Sequence, residues 1–238
     1  MKKLIIIPAY NEEKNLVSLI NEIREVPGFD YIIINDGSKD NTSAICKENG
    51  YNMIELPINL GIGAAVQTGY LYAMENDYDI AIQIDGDGQH DPRFLNNLIK
   101  PLIEGDADFV IGSRFLHKKG FQSTSARKIG ISLLSNLIFI LTGNKFYDIT
   151  SGYRAVNKPV IKLFVNHYLK DFPEPHSIIV AIKKGFKLLE MPVHMRQRMN
   201  GNSSIHFLKA IYYMMKVSTS LILSSMELKD IDEEGKAV

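Results

Sequence analysis

The sequence predicts an α/β fold: a doubly wound, mostly parallel sheet of Rossmann-like character, with amphipathic helices at its C-terminal end. Short apolar runs alternate along the first half of the chain with longer segments of helical spacing, an order typical of a parallel sheet. The runs lack polar alternation, which indicates strands covered on both faces. With 238 residues, the chain has room for one such domain and an appendage.

The predicted strands are these apolar runs. The weakest of the early ones is Met53–Leu56. In the second half, Asp148–Ala155 is expected to form a turn and a short strand. Phe186–Arg198 is expected to be a strand that continues into a basic loop at Arg196–Ser204. The remaining predicted strands are Leu4–Ile7, Tyr31–Ile34, Ile80–Ile84 and Phe109–Ile111.

Helices are expected where apolar residues recur every three or four positions. Leu16, Leu19 and Ile23 show this spacing in the first helix. Asp40 or Asn41 can cap the second helix, which ends at Lys47. The other helices are expected at Gly61–Met74, Pro92–Ile103, Ser125–Leu141, Ser177–Lys184 and Ile205–Met226, and the first spans Asn11–Arg24.

The composition excludes several classes of protein. Cys46 is the only cysteine, so the chain has no intrachain disulfide and no zinc or iron–sulfur site built on cysteines. The 27 basic residues balance the 27 acidic ones, so no net field recruits nucleic acid, which we do not expect as a partner. The longest apolar segment, Ile129–Gly143, is shorter than the roughly 20 residues of a membrane-spanning helix.

The charges are unevenly distributed along the chain. Residues 109–147 and 191–226 contain no carboxylate, yet they hold ten of the 27 basic residues and are rich in apolar ones. A basic and apolar surface suits anionic lipid, so this pattern predicts a surface that faces an anion. The ten basic residues are Arg114, Lys118, Lys119, Arg127, Lys128, Lys145, Arg196, Arg198, Lys209 and Lys216.

Polar residues follow three of the predicted strands. Because the carboxyl ends of parallel strands meet at one edge of the sheet, where ligands bind in open α/β folds, we expect a site there. Asp36-Gly37 by itself is typical of a turn, but three such ends at one edge indicate a binding site. The three strand ends are Pro8-Ala9-Tyr10-Asn11-Glu12, Asn35-Asp36-Gly37-Ser38 and Asp85-Gly86-Asp87-Gly88-Gln89-His90.

Asp85, Asp87 and Gln89 predict a site for a divalent cation. Two carboxylates two residues apart, with an amide after them, offer hard oxygen ligands. Such ligands suit Mg²⁺ or Mn²⁺ when phosphate oxygens complete the coordination. The alternative is a strand-to-helix turn with a capping aspartate.

A second glycine-containing turn, Asn59-Leu60-Gly61-Ile62-Gly63, precedes a predicted helix. Gly-x-Gly alone is weak, and the rest of a dinucleotide fingerprint is missing. No Walker lysine follows, which excludes a P-loop. The turn can present the start of the helix to an anion.

Together these motifs resemble family 2 glycosyltransferases of the GT-A fold, and within that family the polyprenyl-phosphate or dolichol-phosphate hexose synthases. The resemblance extends to about residue 207. The predicted organisation is a GT-A catalytic domain at 1–204, an amphipathic membrane- or partner-facing helix at 205–226 and a charged flexible tail at 227–238. Besides the strand ends and the glycine turn, the resemblance rests on Gly112-Ser113-Arg114, Arg127, Asp148-Ile149-Thr150-Ser151-Gly152-Tyr153-Arg154 and residues 196–205.

The resemblance implies a role for each motif. Asp85, Asp87 and Gln89 would hold the metal ion, and Asp85 would also lie near the ribose. Arg114 would neutralise charge on the leaving nucleoside diphosphate. The residues expected to bind the nucleotide are Pro8, Ala9, Tyr10, Glu12, Asp36, Gly61, Gly63, Asp85 and Gly86. Those expected to bind the acceptor or the diphosphate are Arg127, Arg196, Arg198 and Ser203, and those expected to be catalytic are Asp148, Arg114 and Arg127.

Two positions depart from the family pattern. Asn35 stands where the family often has aspartate, and the base contact is then left to Asp36. Ile62 stands where many members have lysine, so a phosphate or base contact is absent there.

The expected reaction is inverting and depends on Mg²⁺ or Mn²⁺. A hexose or N-acetylhexosamine would move from a nucleotide sugar, UDP rather than GDP, to a polyprenyl phosphate, which is already anionic and needs no general base. A sugar hydroxyl must be deprotonated. Asp148 could be the general base that removes this proton, or it could cap a turn. The alternative function is therefore a transferase that uses a sugar hydroxyl in a cell-wall or capsular polymer.

Two further interpretations are weighed against this one. A non-catalytic subunit that binds nucleotide sugars is disfavoured, because Asp85, Asp87 and Gln89 are all present. His90 and His176 could act as acid–base groups, but lone histidines are usually structural, and we expect both to be so.

A lipid acceptor requires that the site reach the bilayer. Ile129–Leu141 and Ile205–Met226 are apolar and lie in the acid-free stretches, and Lys209 and Lys216 can extend to the headgroups. Both segments can instead pack on the sheet. We expect a cytoplasmic protein attached peripherally to the inner face of the cell membrane, either to anionic lipid directly or through a small membrane protein.

Overall fold

In this computed structural model, seven strands of the described part of the chain form one sheet. The structure describes residues 1–117, 125–169, 171–197 and 215–226, with the backbone alone at 125–127. The strands are β1 (Lys3–Ala9), β2 (Asp30–Asn35), β3 (Met53–Glu55), β4 (Ile80–Gln83), β5 (Phe109–Ser113), β6 (Arg154–Asn157) and β7 (Leu188–Pro192).

The strand order is β3-β2-β1-β4-β6-β5-β7. β1 lies in the middle of the parallel part and pairs with both β2 and β4, and β7 is parallel to β5. β6 runs antiparallel to both of its neighbours, β4 and β5. The prediction of a doubly wound, mostly parallel sheet is confirmed. The direction of β6 was left open, because a short strand after a turn carries no signal of direction.

Helices cover both faces of the sheet, and the sheet separates the apolar core into two layers. They are α1 (Leu16–Arg24), α2 (Thr42–Glu48), α3 (Ile62–Glu75), α4 (Leu95–Glu104), α5 (Ser125–Thr142), α6 (Lys158–Asn166), α7 (Pro173–Lys183) and α8 (residues 215–226). Buried residues of α1, α2 and α4 belong to one layer, and those of α3, α5, α6, α7 and α8 to the other.

The central strand β1 shows why the sheet is buried on both sides. Leu4 and Ile6 belong to the α3 layer, Ile5 and Ile7 belong to the α1 layer, and all four are fully buried. Successive side chains of a strand point to opposite faces, so an unbroken apolar run is what a strand between two helical layers requires.

Four helices differ from the prediction by three residues or more. One is α4, which begins at Leu95 and not at Pro92, because Pro92–Phe94 form a 3₁₀ turn. α6 was not predicted, although Asn157 accepts a hydrogen bond from the amide of Val160 and so caps it. α7 begins at Pro173, four residues before the predicted Ser177, because prolines are tolerated in the first turn of a helix. α1 begins at Leu16, since the preceding residues form a turn in which Asn11 is left-handed.

The C-terminal prediction can be followed only in part. α8 lies within the helix expected at 205–226, and Val217 and Leu221 pack in the α3 layer. Residues 205–214 and the tail at 227–238 lie outside the described residues. Among the helices that the structure does describe, none combines the length and apolar character that crossing a membrane would require.

Candidate active site

The carboxyl ends of β1, β2 and β4 meet at one edge of the sheet. The amide of Asp36 donates to the carbonyl of Ala9 (2.9 Å), and the amide of Gly86 donates to the carbonyl of Pro8 (3.2 Å). Pro8 and Ala9 are buried, while Tyr10 is exposed beside them. The structure therefore brings together the three strand ends that the sequence singled out.

Asp36 closes the turn in front of helix α3. Its Oδ1 accepts from the amide of Leu60 (2.7 Å) and its Oδ2 from the amide of Gly61 (2.9 Å), and the carboxylate is buried. The next residue, Gly37, has φ 65°, and a Cβ there would lie 2.6 Å from the carbonyl carbon of Ile58. In this conformation the anion at the start of α3 is the carboxylate of Asp36 itself.

Glu12 and Gly63 lie beside this turn and the end of β1. The Oε2 of Glu12 accepts from the side-chain amide of Asn15 (2.6 Å), and the Glu12 amide donates to the hydroxyl of Thr42 (2.9 Å). Gly63 is buried in the first turn of α3. The predicted nucleotide-binding residues thus line one continuous edge from β2 to β4.

Asp85 is held from several sides. Its Oδ1 accepts from the side-chain amide of Gln83 (2.9 Å), and its own amide donates to Nδ1 of His90 (3.1 Å). Nε2 of His90 lies 3.7 Å from Oδ2, and the His90 ring stacks on Tyr153 at 4.9 Å. The side chain of Asp85 is still 34% exposed, so the carboxylate is oriented and also accessible.

Asp87 and Gln89 follow in a tight turn. Asp87 is buried, and its Oδ1 accepts from the amide of Gln89 (3.0 Å). The strand-to-helix turn foreseen as the alternative to a metal site is therefore present. The cap of the turn before α4 comes from Asp91, which accepts from the amide of Arg93 (3.0 Å).

The donor set fits Mg²⁺ or Mn²⁺. Within the described residues no cluster of three or more His, Cys, Asp or Glu side chains could hold a metal ion. Two carboxylates, from Asp85 and Asp87, and the amide oxygen of Gln89 are hard ligands, and a hard cation held by one or two carboxylates takes its other oxygens from phosphate and water. The residues thus suit an ion that binds together with a diphosphate.

Arg114 and Asp148 form a buried ion pair. Nε of Arg114 donates to Oδ2 (2.7 Å), its Nη2 donates to Oδ1 (2.5 Å), and its backbone amide also donates to Oδ2 (2.8 Å). Asp148 has no exposed surface. Both oxygens of Asp148 are therefore engaged in this conformation, and its role as a general base stays a prediction.

Glu190 of β7 completes this cluster. Its carboxylate accepts from the backbone amides of Tyr147 (2.9 Å) and Asp148 (2.7 Å). Burial raises the pKa of Glu190, while these two hydrogen bonds oppose the rise. The guanidinium of Arg114 also donates to Thr150 (3.0 Å). The cluster therefore joins the ends of β5 and β7 to the loop before β6.

Arg196 lies beside the turn of Asp87 and Gln89 but is already paired. Its guanidinium contacts Glu22 of α1 (2.7 Å) and Asp91 (3.0 Å). Its backbone exchanges hydrogen bonds with Gln89, whose carbonyl accepts from the Arg196 amide (2.9 Å) and whose side chain donates to the Arg196 carbonyl (3.2 Å). The expected phosphate contact of Arg196 would require it to leave two carboxylates. The side chain of Arg127, and the whole of Arg198 and Ser203, lie outside the described residues.

The sequence analysis did not identify Gln83 or Glu174 as site residues, and it gave Gly152 and Arg154 no role beyond the resemblance that rests on them. Arg154 is almost fully buried and donates to the carbonyls of Ile149 (2.9 Å), Ser151 (2.6 Å) and Glu174 (2.7 Å). Burial raises the pKa of Glu174, and the charge of Arg154 opposes that rise. A polar residue in an apolar strand was the available signal.

The two candidate histidines are both buried. His90 stacks on Tyr153 and accepts from the backbone, as described above. Burial lowers the pKa of His176 to about 4, and its Nδ1 has no hydrogen-bond partner among the described residues. His176 is therefore neutral at pH 7. Structural roles for both residues remain our interpretation.

Comparison with known proteins finds a matching family model and similar enzymes. Residues 4–164 match the model of glycosyl transferase family 2. The chain is 34% identical over 209 residues to a UDP-N-acetylglucosamine–dolichyl-phosphate N-acetylglucosaminyltransferase of Methanococcus voltae, covering 79% of this chain and 83% of that one. It is 27% identical over 215 residues to a polyprenol monophosphomannose synthase of Mycolicibacterium smegmatis, covering 86% and 81%.

Solved structures show the same fold. Glucosyl-3-phosphoglycerate synthase of Mycobacterium tuberculosis, in complex with Mn²⁺, UDP and glucosyl-3-phosphoglycerate, superposes with a TM-score of 0.69. That likeness covers 95% of this chain and 79% of the other at 21% sequence identity. At this identity the similarity establishes the fold, not the substrate.

Proposed function

The chain belongs to glycosyl transferase family 2 and is a glycosyltransferase, and from this premise we propose that its acceptor is a polyprenyl phosphate. The donor is a nucleotide sugar, UDP rather than GDP, that carries a hexose or an N-acetylhexosamine. The observation that carries the proposal is the turn Asp85–Gln89, which follows β4 and contacts the end of β1 through Gly86. The chain is also similar to transferases named for dolichyl and polyprenol phosphates.

The strand ends would hold the donor. Tyr10 is exposed at the end of β1 next to Asp36 and the turn before α3, where a planar base can lie against it. The carboxylate of Asp36 can accept from a base N–H or a ribose hydroxyl if it exchanges its bonds with Leu60 and Gly61. Asp85, oriented and accessible at the neighbouring strand, faces the same edge.

Asp85, Asp87 and Gln89 would hold the divalent cation. When bound, such an ion neutralises charge that develops on the leaving diphosphate. By holding that ion, the three side chains would set where the diphosphate lies and therefore which face of the anomeric carbon meets the acceptor. Attack from the opposite side then inverts the configuration at that carbon.

The acceptor phosphate needs no base from the protein. It already carries the negative charge that attacks the anomeric carbon, whereas a sugar hydroxyl would have to lose a proton. Asp148, the base considered for a hydroxyl acceptor, is buried and paired with Arg114. This pairing favours the phosphate over the hydroxyl acceptor.

The direct test offers both classes of acceptor to the purified protein. Radiolabelled UDP- and GDP-sugars are incubated with a polyprenyl phosphate or with oligosaccharides, and label in the organic and aqueous phases is counted. We expect label in the lipid phase. Label only in oligosaccharide would replace this proposal by the hydroxyl-acceptor alternative. Nucleotide binding without transfer in either arm would indicate a binding subunit.

We also propose that the protein attaches peripherally to the cytoplasmic face of the membrane. α5 exposes Ile129 (64%), Leu133 (61%) and Ile140 (77%) along one side. α8 exposes Met215 and Met226 as well. Both helices lie in the stretches without carboxylates, and exposed apolar side chains beside lysines suit an anionic bilayer. A small membrane protein that covers the same side chains is the alternative partner.

Flotation with liposomes tests this attachment. The wild-type chain is mixed with vesicles that contain or lack anionic lipid, with and without membrane extract, and compared with Ile140→Asp. The matched control is Ile103→Asp, an exposed isoleucine of α4 on the opposite face of the sheet. We expect anionic vesicles to float the wild type and the control but not Ile140→Asp. Flotation only with extract would indicate a partner protein, and none in either condition would exclude this attachment.

A further inference from the structure

Gln83 is a buried amide in an apolar layer of the core. It is the last residue of β4, it is 1% exposed, and its register partner on β6 is Arg154. The neighbouring strand residues on the same face, such as Ala81 and Val156, belong to the apolar α3 layer. The Oε1 of Gln83 has no hydrogen-bond partner among the described residues. A buried amide with an unsatisfied acceptor destabilises a fold. The presence of Gln83 here therefore needs a compensating role, and we look for it in the amide nitrogen, Nε2.

That other atom, Nε2, donates to Oδ1 of Asp85 at 2.9 Å. The two residues reach each other because side chains two positions apart in an extended chain lie on the same side. A hydrogen bond to a carboxylate is stronger than one between neutral groups. It fixes the rotation of the Asp85 carboxylate and leaves Oδ2 on the side of His90.

Gly152 supplies the space in which this carboxylate lies. A Cβ on Gly152 would be 2.8 Å from Oδ2 and 2.9 Å from Oδ1 of Asp85, and 2.9 Å from Nε2 of Gln83. The backbone of Gly152 is not left-handed, so this closeness, rather than a backbone angle, requires glycine. The loop before β6 is therefore packed directly on the Gln83–Asp85 pair.

We propose that Gln83 is a positioning residue that orients Asp85 for a divalent cation, with Gly152 as the second wall of the same cradle. The inference rests on the proposed metal site and adds the residues that set its geometry. Groups that orient a metal-binding carboxylate typically change metal affinity by about 10- to 100-fold when they are removed. Gln83 itself contacts neither metal nor nucleotide in this assignment.

Titration calorimetry tests the proposal without an activity assay. It measures the affinity of the purified full chain for Mn²⁺ with UDP present. Gln83→Met keeps the side-chain length and removes the donor. Gln67→Met is the matched control, since Gln67 likewise donates a side-chain amide hydrogen bond, to the carbonyl of Val165 (2.8 Å), between α3 and the end of α6. We expect Gln83→Met to weaken Mn²⁺ binding about 10- to 100-fold and Gln67→Met to leave it unchanged.

A double variant shows whether Gln83 acts through Asp85. In an Asp85→Asn background, Gln83→Met should cause no further loss of affinity, because the carboxylate it orients is gone. Gly152→Ala, which crowds the same carboxylate, should weaken Mn²⁺ binding in the same way and serves if Gln83→Met does not fold. The positioning role would be overturned if Gln83→Met and Gln67→Met bound Mn²⁺ with equal affinity. It would also be overturned if the losses of Mn²⁺ affinity added up in the double variant. A wild-type chain that binds no Mn²⁺ would instead overturn the proposed metal site.

Discussion

Asp87 is the residue on which the proposed chemistry depends most directly. It is buried at the edge of the sheet, and one of its oxygens already orders the turn to Gln89. We expect Asp87→Ala to lower turnover by about 100-fold or more, because one of two carboxylate ligands to the cation is lost. Asp106→Ala, an exposed aspartate in the loop before β5, should retain full activity.

Initial rates and thermal unfolding of both variants would be measured together. The unfolding temperature of Asp87→Ala should stay close to that of the wild type. The loss of turnover would then come from the missing carboxylate and not from unfolding. An Asp87→Ala protein with unchanged turnover and unchanged metal dependence would place the metal site elsewhere.

His176 makes the stability of the fold sensitive to acid. Burial lowers its pKa from 6.5 to about 4, so the unfolded chain binds a proton at a higher pH than the folded chain does. The stabilisation by neutral His176 is complete above pH 6.5 and is lost as the pH falls towards 4. The loss amounts to about 3 kcal/mol in the free energy of unfolding.

Urea unfolding at pH 7, 6, 5 and 4 would measure this effect. In His176→Phe, the free energy of unfolding should fall less steeply between pH 6.5 and 4 than in the wild type. His194→Gln, a change at an exposed histidine, should follow the wild-type curve. Identical slopes for wild type and His176→Phe would show that His176 takes up its proton without penalty.

At the scale of elements, the pair of Arg114 and Asp148 joins β5 to the loop before β6. Removing one partner of a buried ion pair leaves the other charge without compensation, which typically costs about 3–5 kcal/mol. We expect Asp148→Asn to destabilise the protein by about that amount. Asp77→Asn breaks the exposed pair with Lys158 and should leave the stability nearly unchanged, because water screens an exposed pair.

Equilibrium unfolding of the two variants, with transfer assays below their unfolding transitions, separates structure from chemistry. Folded Asp148→Asn should still transfer sugar to a polyprenyl phosphate. A variant of wild-type stability that has lost all transfer would return Asp148 to the catalytic machinery and favour a hydroxyl acceptor.

At the scale of the whole molecule, donor and acceptor have to meet at one edge of the sheet. Asp85 and Asp87 bring two negative charges to the place where a diphosphate would bind, and two such anions repel each other without a cation between them. Activity should therefore require Mg²⁺ or Mn²⁺. We expect a chelator to reduce transfer to background and either ion to restore it.

The measurement is the transfer rate across a titration of chelator, followed by excess Mg²⁺, Mn²⁺ or Ca²⁺. Full activity at excess chelator would contradict the proposed metal dependence. The lipid acceptor would have to be presented in detergent in this assay, so that effects on membrane attachment do not enter the rate.

The sequence alone was sufficient to predict a mostly parallel sheet, though not the direction of β6, and to identify the edge at which we propose the site. Strands such as Leu4–Ile7 are recognisable because a run buried on both faces must be apolar throughout. The order of strands and helices along the chain then places every parallel strand end at the same edge. That is why the neighbourhood of Pro8, Asp36 and Gly86 could be predicted before any contact was known.

Tertiary structure decided what each polar side chain contacts. Asp148 and Arg196 could be recognised as charged residues near the site, but their partners, Arg114 for the first and Glu22 and Asp91 for the second, come from distant parts of the chain. Periodicity and spacing describe only neighbours along the sequence. Burial and pairing depend on which segments the fold brings together, so the ion pair of Asp148 with Arg114 is visible only in the folded chain.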